Sequence, residues 1–515
     1  MLRPTRGATA GTGVAVGAAG DEPQPAANSG TRNIAFSCFK GFALLVTTTA
    51  LGEDTPGGCS ANHAHRTLVA MMTIVAILLG LSLPADASSM PEVDRLVEER
   101  MKRHLVPGLA VVVIRNGEVV HRKGFGELDA TRPVIIGSLS KAITATAVLQ
   151  LVDDGKIELD APMQRYLGTL RFRDPSAASI TVRQLLNQNS GIPADAPRAA
   201  RRDATLAEHV DALRDLRLVA APGERHIYSS PNYQILGRIV EVVSGQPFGQ
   251  FVQSRIFSPL GMTSSGVEAA SAPRLAPGHN LWWGFAGPSP YRFEQGRLPT
   301  ASIITTADDL SLFALSHLGS GPQLLTPESL LLAHRGAAQA EGFSYAMGWR
   351  EGTTASVPSL WHGGALPSYR GAVVLLPQSR TAVIVLTNSA SLFADHTREI
   401  AAGIVALLEK RPLPQGFRPL RTTYAVIAAI CLVVVGLQAR SLRRAMRYEG
   451  AAPKRFRVVL LDFALPLGVL LALPGLTKIS YQAMWEGAPD IVTTVAVLLI
   501  LGLITGALKL RRTAE

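Results

Sequence analysis

At 515 residues, with 47% apolar and 17% charged residues and a net charge of +11, the chain is too long for one ordinary domain and too apolar for a purely soluble enzyme. The positive charge gathers at the end: residues 439–515 hold eleven Lys/Arg against five Asp/Glu, with no basic helix interleaved with aromatics, which points to membrane topology and excludes a nucleic-acid partner. Three cysteines, Cys38, Cys59 and Cys431, make neither a disulfide framework nor a CxxC metal site.

Residues 1–65 are rich in Gly, Ala and Thr without sustained periodicity. They read as a disordered extension or as the product of a start codon placed too early. Residues 66–87 have the plan of an export signal: Arg66, an apolar run from about Leu68 to Leu83, then Ala85-Asp86-Ala87. An uncleaved N-terminal anchor is the alternative, and both deliver the adjoining globular domain outside the cytoplasm.

Residues 88–418 form the globular part. MPEVDRLVEERMKRHL (90–105) has the pattern of an amphipathic helix. LAVVVIRNGEVVHRKGFG (109–126) holds two apolar strand-like runs around Asn116-Gly117, a strong hairpin signal. Strand-like sequence returns at 371–388, and the middle reads as helix and loop. The expectation is an α+β domain whose sheet draws on both termini.

The stretch GSLSKAITATAVLQ (137–150) predicts a helix from about Ser138 to Asp154 with Gly155 as its C-cap. Ile143, Ala147, Val148 and Leu151 mark its buried side. Residues three apart share a face, so Ser138 and Lys141 are neighbours and Ser140 points elsewhere. A serine hydroxyl needs a base to become a nucleophile. A lysine serves only if desolvation or nearby positive charge leaves its amine partly neutral.

Three apolar runs end the chain, 422–438, 458–476 and 491–508, each near the ~20 residues that span a bilayer. The middle one carries Asp462, Pro466 and Pro474. Seven Lys/Arg in 439–457, and Lys509, Arg511 and Arg512 after the last run, put both segments in the cytoplasm by the positive-inside rule. Residues 419–515 are then a three-helix membrane tail with a cytoplasmic C-terminus, and the globular part lies outside.

GSLSK (137–141), LLNQNSGIP (185–193), YSSPNYQILGRIVE (228–241) and WHGGALPSYRG (361–371), in that order, resemble the serine β-lactamase-related and penicillin-binding hydrolases, on the class C side. The resemblance spans about 100–405. It implies the β-lactamase/transpeptidase-like fold, an antiparallel sheet flanked by helices with a helical subdomain. It also implies that Ser138 is acylated, with Lys141 and Tyr228 moving its proton. The Tyr-x-Asn element of the family reads Tyr228-Ser229-Ser230 here. Ser230 has one short hydroxyl where the family has an amide, which moves weight away from β-lactams and peptides toward esters. His362-Gly363-Gly364 fits the His-x-Gly variant of the third element, with Gly364 allowing close approach and a protonated His362 favouring a substrate carboxylate. The N–H groups of Ser138 and Ala365 would form the oxyanion hole. Ser230, His362, Gly363 and Gly364 are the substrate-binding candidates.

Other residues carry less. Residues 284–297 read as a loop near the site mouth, and Asp308-Asp309 as helix-start acids behind a threonine cap. His396, beside Asp395, lacks metal-ligand spacing. Gln184, Asn187 and Gln188 read as loop supports. The reading is an exported, membrane-anchored serine hydrolase acting through an acyl-enzyme, with no metal or organic cofactor. Its substrate is a small molecule or peptide: an ester, a D-amino-acid peptide or amide of cell-wall origin, or, last, a β-lactam. The rival is a non-catalytic sensor or scaffold signalling through the tail.

Overall fold

The computed structural model describes residues 90–447 apart from 169, 197–198, 200, 202, 269–270, 272–273, 290, 292 and 417, then isolated positions up to 485, and residues 488–512. The expected N-terminal segments and most of the 458–476 run lie outside the described residues.

An eight-stranded antiparallel sheet organises the globular part. Its strands are β1 (Gly108–Arg115), β2 (Glu118–Gly126), β7 (Ala338–Ala340), β8 (Phe343–Tyr345), β9 (Arg350–Thr354), β10 (Val357–Ala365), β11 (Arg370–Leu376) and β12 (Thr381–Thr387), in the order β2-β1-β12-β11-β10-β9-β8-β7. Two small sheets pair β3 (Val134–Ile135) with β6 (Ile304–Thr305), and β4 (His279–Trp282) with β5 (Phe285–Pro288) and β13 (Ser389–Ala390). The first and last strands of this sheet in chain order meet at β1–β12, so the sheet does use both ends of the domain. Asn116 and Gly117 both take positive φ, as a two-residue hairpin turn requires.

The central strands are buried on both faces, and their alternation divides the core. Ala110, Val112 and Ile114 of β1, with Ile384 and Leu386 of β12, face a large helical layer. Leu109, Val111 and Val113, with Val383 and Val385, face the terminal helices Pro91–His104 and His396–Leu408. Each such valine, leucine or isoleucine contributes about 1.5–3 kcal/mol by leaving water. A one-residue slip of register would exchange the two faces.

The predicted helix at 137–154 divides into a 3₁₀ turn, Gly137–Leu139, and an α-helix, Ser140–Asp153. Gly155 comes next but one, at positive φ. The helix is buried on every side from Ser140 to Leu151, not along one stripe. It has no polar face because it lies between the sheet and the helical layer, where no side meets water. Thr144 and Thr146 satisfy their hydroxyls on the backbone one turn earlier, at Ser140 and Ala142.

Two helices after the globular part, Leu420–Met446 and Pro489–Arg512, are long and apolar enough to cross a membrane. They pack side by side. The Tyr424 hydroxyl donates to the Leu281 carbonyl (3.4 Å), and the Trp283 N–H donates to Asp490 (2.7 Å). Both helices therefore start at the β4–β5 hairpin and run in the same direction. This hairpin corrects the expectation for the first part of 284–297. Residues 285–288 are a strand against the tail, because Trp283 and Gly284 form a tight turn at positive φ.

Candidate active site

Lys141 is the centre of the site. It is fully buried, and its Nζ lies 3.1 Å from Ser138 Oγ, 3.1 Å from the Thr300 carbonyl and 3.5 Å from Ser230 Oγ. Burial holds its amine below the ordinary lysine value, while the Tyr228 side chain beside it acts in the opposite sense. Arg297 and Arg350 add further positive field that disfavours the ammonium. The Lys141 Nζ stands 5.0 Å from the centre of the Tyr228 ring. Ser138, Tyr228 and Ser230 are each partly exposed, so the cluster opens to solvent on the serine side.

Local structure makes this geometry. Gly137 takes positive φ, and a Cβ there would lie 2.7 Å from Ala365 N. A Cβ on Gly364 would overlap the Ile136 carbonyl. The two glycines let the end of β10 run against the turn that carries Ser138. Leu366 N–H donates to the Tyr369 carbonyl (2.9 Å) across the β10–β11 turn, which makes Ala365 and Arg370 a non-hydrogen-bonded pair. The Ala365 N–H therefore faces away from β11. Strand β9 stops pairing at Trp361, so this edge has no ladder partner there.

Tyr228 is placed by Gln188, which takes positive φ. The Gln188 carbonyl accepts from Ile227 N–H (2.8 Å), and its side-chain oxygen accepts from Ser229 N–H (2.9 Å) and Asn232 Nδ2 (2.6 Å). Asn232 Oδ1 in turn accepts from the Ser190 hydroxyl (2.6 Å). Gln184 completes a capping box with Thr181 on the short helix Val182–Leu186. The loop-support reading holds for both glutamines. Thr306 caps the Ala307–His317 helix by accepting from Asp309 N–H.

His362 departs from expectation. It is 0% exposed, and burial together with Arg350 and Lys141 pushes its pKa well down. The neutral ring donates from Nδ1 to the Gly363 carbonyl (2.8 Å), so Nε2 accepts from the Tyr345 hydroxyl (3.1 Å). Both nitrogens are used, and no imidazolium is available to hold a carboxylate.

A cation beside the site is Arg350, at the start of β9. Its guanidinium carbon lies 5.4 Å from the centre of the Tyr228 ring, 4.6 Å from that of Trp361 and 5.1 Å from that of Phe343. Its buried Nε has no hydrogen-bond partner among the described residues. Sequence reasoning misses both Tyr345 and Arg350. The available signal is Gly348 in FSYAMGWR. It takes positive φ, and a Cβ there would lie 2.7 Å from the Ala142 Cα, so the bend between β8 and β9 crosses the start of the Ser140–Asp153 helix. Among the described residues no cluster of His, Cys, Asp and Glu is arranged to hold a metal.

Comparison with known proteins gives consistent results. The sequence profile of the family described as Beta-lactamase matches residues 93–407. Penicillin-binding protein 4 of Amycolatopsis lactamdurans is 32% identical over 357 residues, covering 62% of this chain and 93% of that protein. Protein flp of Staphylococcus aureus (strain N315) is 25% identical over 316 residues, 58% of this chain, and the match spans 63% of the length of that relative. Among solved structures, the octameric penicillin-binding protein homologue from Pyrococcus abyssi superposes with a TM-score of 0.58 at 26% identity, over 64% of this chain and 79% of that one.

Proposed function

The chain belongs to the Beta-lactamase family, and from that premise we propose that it is a membrane-held serine hydrolase working through an acyl-enzyme. The 3.1 Å approach of a buried Lys141, its pKa lowered by desolvation, to Ser138 Oγ carries this reading. A lysine kept for structure alone gains nothing from losing its charge, whereas a proton acceptor needs to lose it.

In the proposed reaction the Ser138 hydroxyl gives its proton to Lys141 Nζ as the oxygen bonds to the substrate carbonyl carbon. The Ser138 and Ala365 N–H groups receive the negative oxygen. Tyr228, next to Lys141, relays the proton to the leaving group, whose bond to the carbonyl carbon then breaks. Water, deprotonated by the same pair, attacks the ester and frees the acid and Ser138. Arg350 holds an anionic group of the substrate, in place of the neutral His362. Ser230 offers a hydroxyl 3.5 Å from Lys141, too short a side chain to span to a substrate amide. This favours esters, with D-amino-acid peptides or amides next and β-lactams last.

In this reading residues 88–418 are the hydrolase domain, delivered outside the cytoplasm by residues 66–87, and 419–515 anchor it. The parallel course of the two described tail helices supports three crossings. Leaving the far end at Arg447 and starting again at the near end at Pro489, the chain has to return. Arg443, Arg444, Lys509 and Arg511 then share one end, as a cytoplasmic surface requires.

Fluorophosphonate labelling of the full chain tests the proposal. Wild type is expected to label and Ser138→Ala to stay unlabelled. Failure of the folded wild type to label, or to turn over p-nitrophenyl esters, D-Ala peptides and nitrocefin, would leave the scaffold reading.

A further inference from the structure

The first turn of the Leu420–Met446 helix does not simply leave the globular part. Between that turn, the end of the Pro91–His104 helix and the β4–β5 hairpin runs a groove of about 510 Å³, lined by Leu105, Trp283, Phe285, Tyr424, Ala425 and Arg421 among others. A second hollow of about 390 Å³ continues it past Met101, Lys102 and Phe125, sharing Leu105 and Arg421. The walls are mainly apolar, and the charges at the edge are Arg421 and Lys102 against Glu98, one net positive charge. Arg421 and Lys102 are exposed, and neither forms an ion pair among the described residues.

The hairpin beside the groove is unusual for a soluble surface. Phe285 is 77% exposed and Trp282 44% exposed, on a turn bonded to the starts of both apolar helices. Aromatic residues collect at this level of a membrane protein, where headgroups meet acyl chains. A basic residue at the start of a spanning helix faces the phosphates of the same leaflet.

We propose that this groove binds one anionic phospholipid of the surrounding leaflet. Its phosphodiester pairs with Arg421 and Lys102, and its acyl chains lie along Leu105, Phe285, Tyr424 and Ala425. One net positive charge matches a headgroup of one net negative charge, and the apolar walls continue into the spanning helices. The bound lipid fills the space between domain and anchor and fixes how the hydrolase sits on the membrane. This inference rests on the membrane reading above, so that reading is tested separately.

Alkaline extraction of membranes from cells expressing the full chain tests the anchor, and release into the soluble fraction would overturn both readings. The lipid site is tested by native mass spectrometry of the full chain in detergent, with dioleoylphosphatidylglycerol or dioleoylphosphatidylcholine added. One retained phosphatidylglycerol is expected, with Arg421→Gln lowering its occupancy about fivefold, the usual worth of one basic residue at an anionic surface. Ala425→Trp fills the groove without altering charge and is expected to remove the adduct while Ser138 still labels. A membrane-retained chain that binds both lipids equally, or whose adduct survives both variants, overturns the lipid proposal alone. Displacement of the lipid by millimolar glycerophosphate also overturns it, in favour of a free phosphoester site.

Discussion

Lys141 Nζ lies 3.1 Å from Ser138 Oγ, one turn away along the chain, and the lysine itself is fully buried. Its depressed pKa has a thermodynamic consequence. In the unfolded chain the amine keeps its proton up to about the ordinary value of 10.5; in the folded protein it gives the proton up at lower pH. Between those two values the unfolded state binds more protons, so stability falls as the pH drops from above 10.5 toward the folded-state value, then levels off. Lys141→Met removes this dependence. The variant is expected to show a higher Tm than wild type, with a gap that widens as the pH falls from about 10.5. It is also expected to lose about 10²–10⁴-fold in acylation rate. In the wild type the acylation rate rises with pH on its acid limb as the amine loses its proton. Thermal unfolding across a pH series, with stopped-flow acylation in parallel, reads both, and a lower Tm for Lys141→Met would show that the lysine holds the fold together.

Gly137→Ala tests the seam between β10 and the serine turn. The new Cβ would stand 2.7 Å from Ala365 N, at a backbone angle that side chains adopt with strain. We expect a loss of about 1–3 kcal/mol in stability from crowding. Labelling of Ser138 is expected to fall by more than the folded fraction does, because Ala365 is pushed from the oxyanion position. Denaturant melts and fluorophosphonate labelling of the folded fraction separate the two effects. Labelling in proportion to folded protein would remove Ala365 from the proposed oxyanion hole.

Local signals are legible in the sequence and non-local ones are not. Asn116-Gly117 declares its hairpin because both residues tolerate the positive φ that the turn imposes. The Ser138–Lys141 spacing is set by a single helical turn. By contrast β7 and β8 have three residues each, with mixed exposure, and show no clear alternation. They read as loop, and Tyr345 is lost with them; Arg350 opens the five-residue β9, whose sequence REGTT carries no apolar alternation either. His362 stands correctly in its motif, but its neutrality comes from burial and from the charges of Arg350 and Lys141, and its Nε2 is taken by Tyr345, seventeen residues earlier in sequence and two strands away in the sheet. The apolar runs at 422–438 and 491–508 are visible in composition. That both helices begin at one hairpin depends on Trp283, Leu281, Tyr424 and Asp490 meeting in space.

Ser230→Asn probes substrate choice. An asparagine at the first position of the Ser230–Ser244 helix places an amide near Lys141, with a carbonyl for the lysine and an N–H₂ for a substrate acyl-amide oxygen. One added hydrogen bond of about 1–1.5 kcal/mol amounts to roughly a tenfold gain. The ratio of D-Ala-peptide or nitrocefin turnover to p-nitrophenyl ester turnover is expected to rise by that factor. An unchanged ratio would mean that Ser230 does not govern amide recognition.

Arg350→Ala separates anion binding from chemistry. The guanidinium is held among Trp361, Phe343 and Tyr228, which puts its positive charge beside the Tyr228 edge of the site, where a substrate anion would meet it. A charged hydrogen bond contributes about 1.5–3 kcal/mol, or about 10- to 100-fold in binding. For an ester carrying a carboxylate, KM is expected to rise by that factor while kcat changes little. For the matching neutral ester both constants are expected to stay near wild type. Removing Arg350 also takes positive charge away from Lys141, which lets its pKa rise and moves the acid limb of the rate profile to higher pH. Equal losses on charged and neutral esters, with no movement of that limb, would reduce Arg350 to a packing residue between aromatic rings.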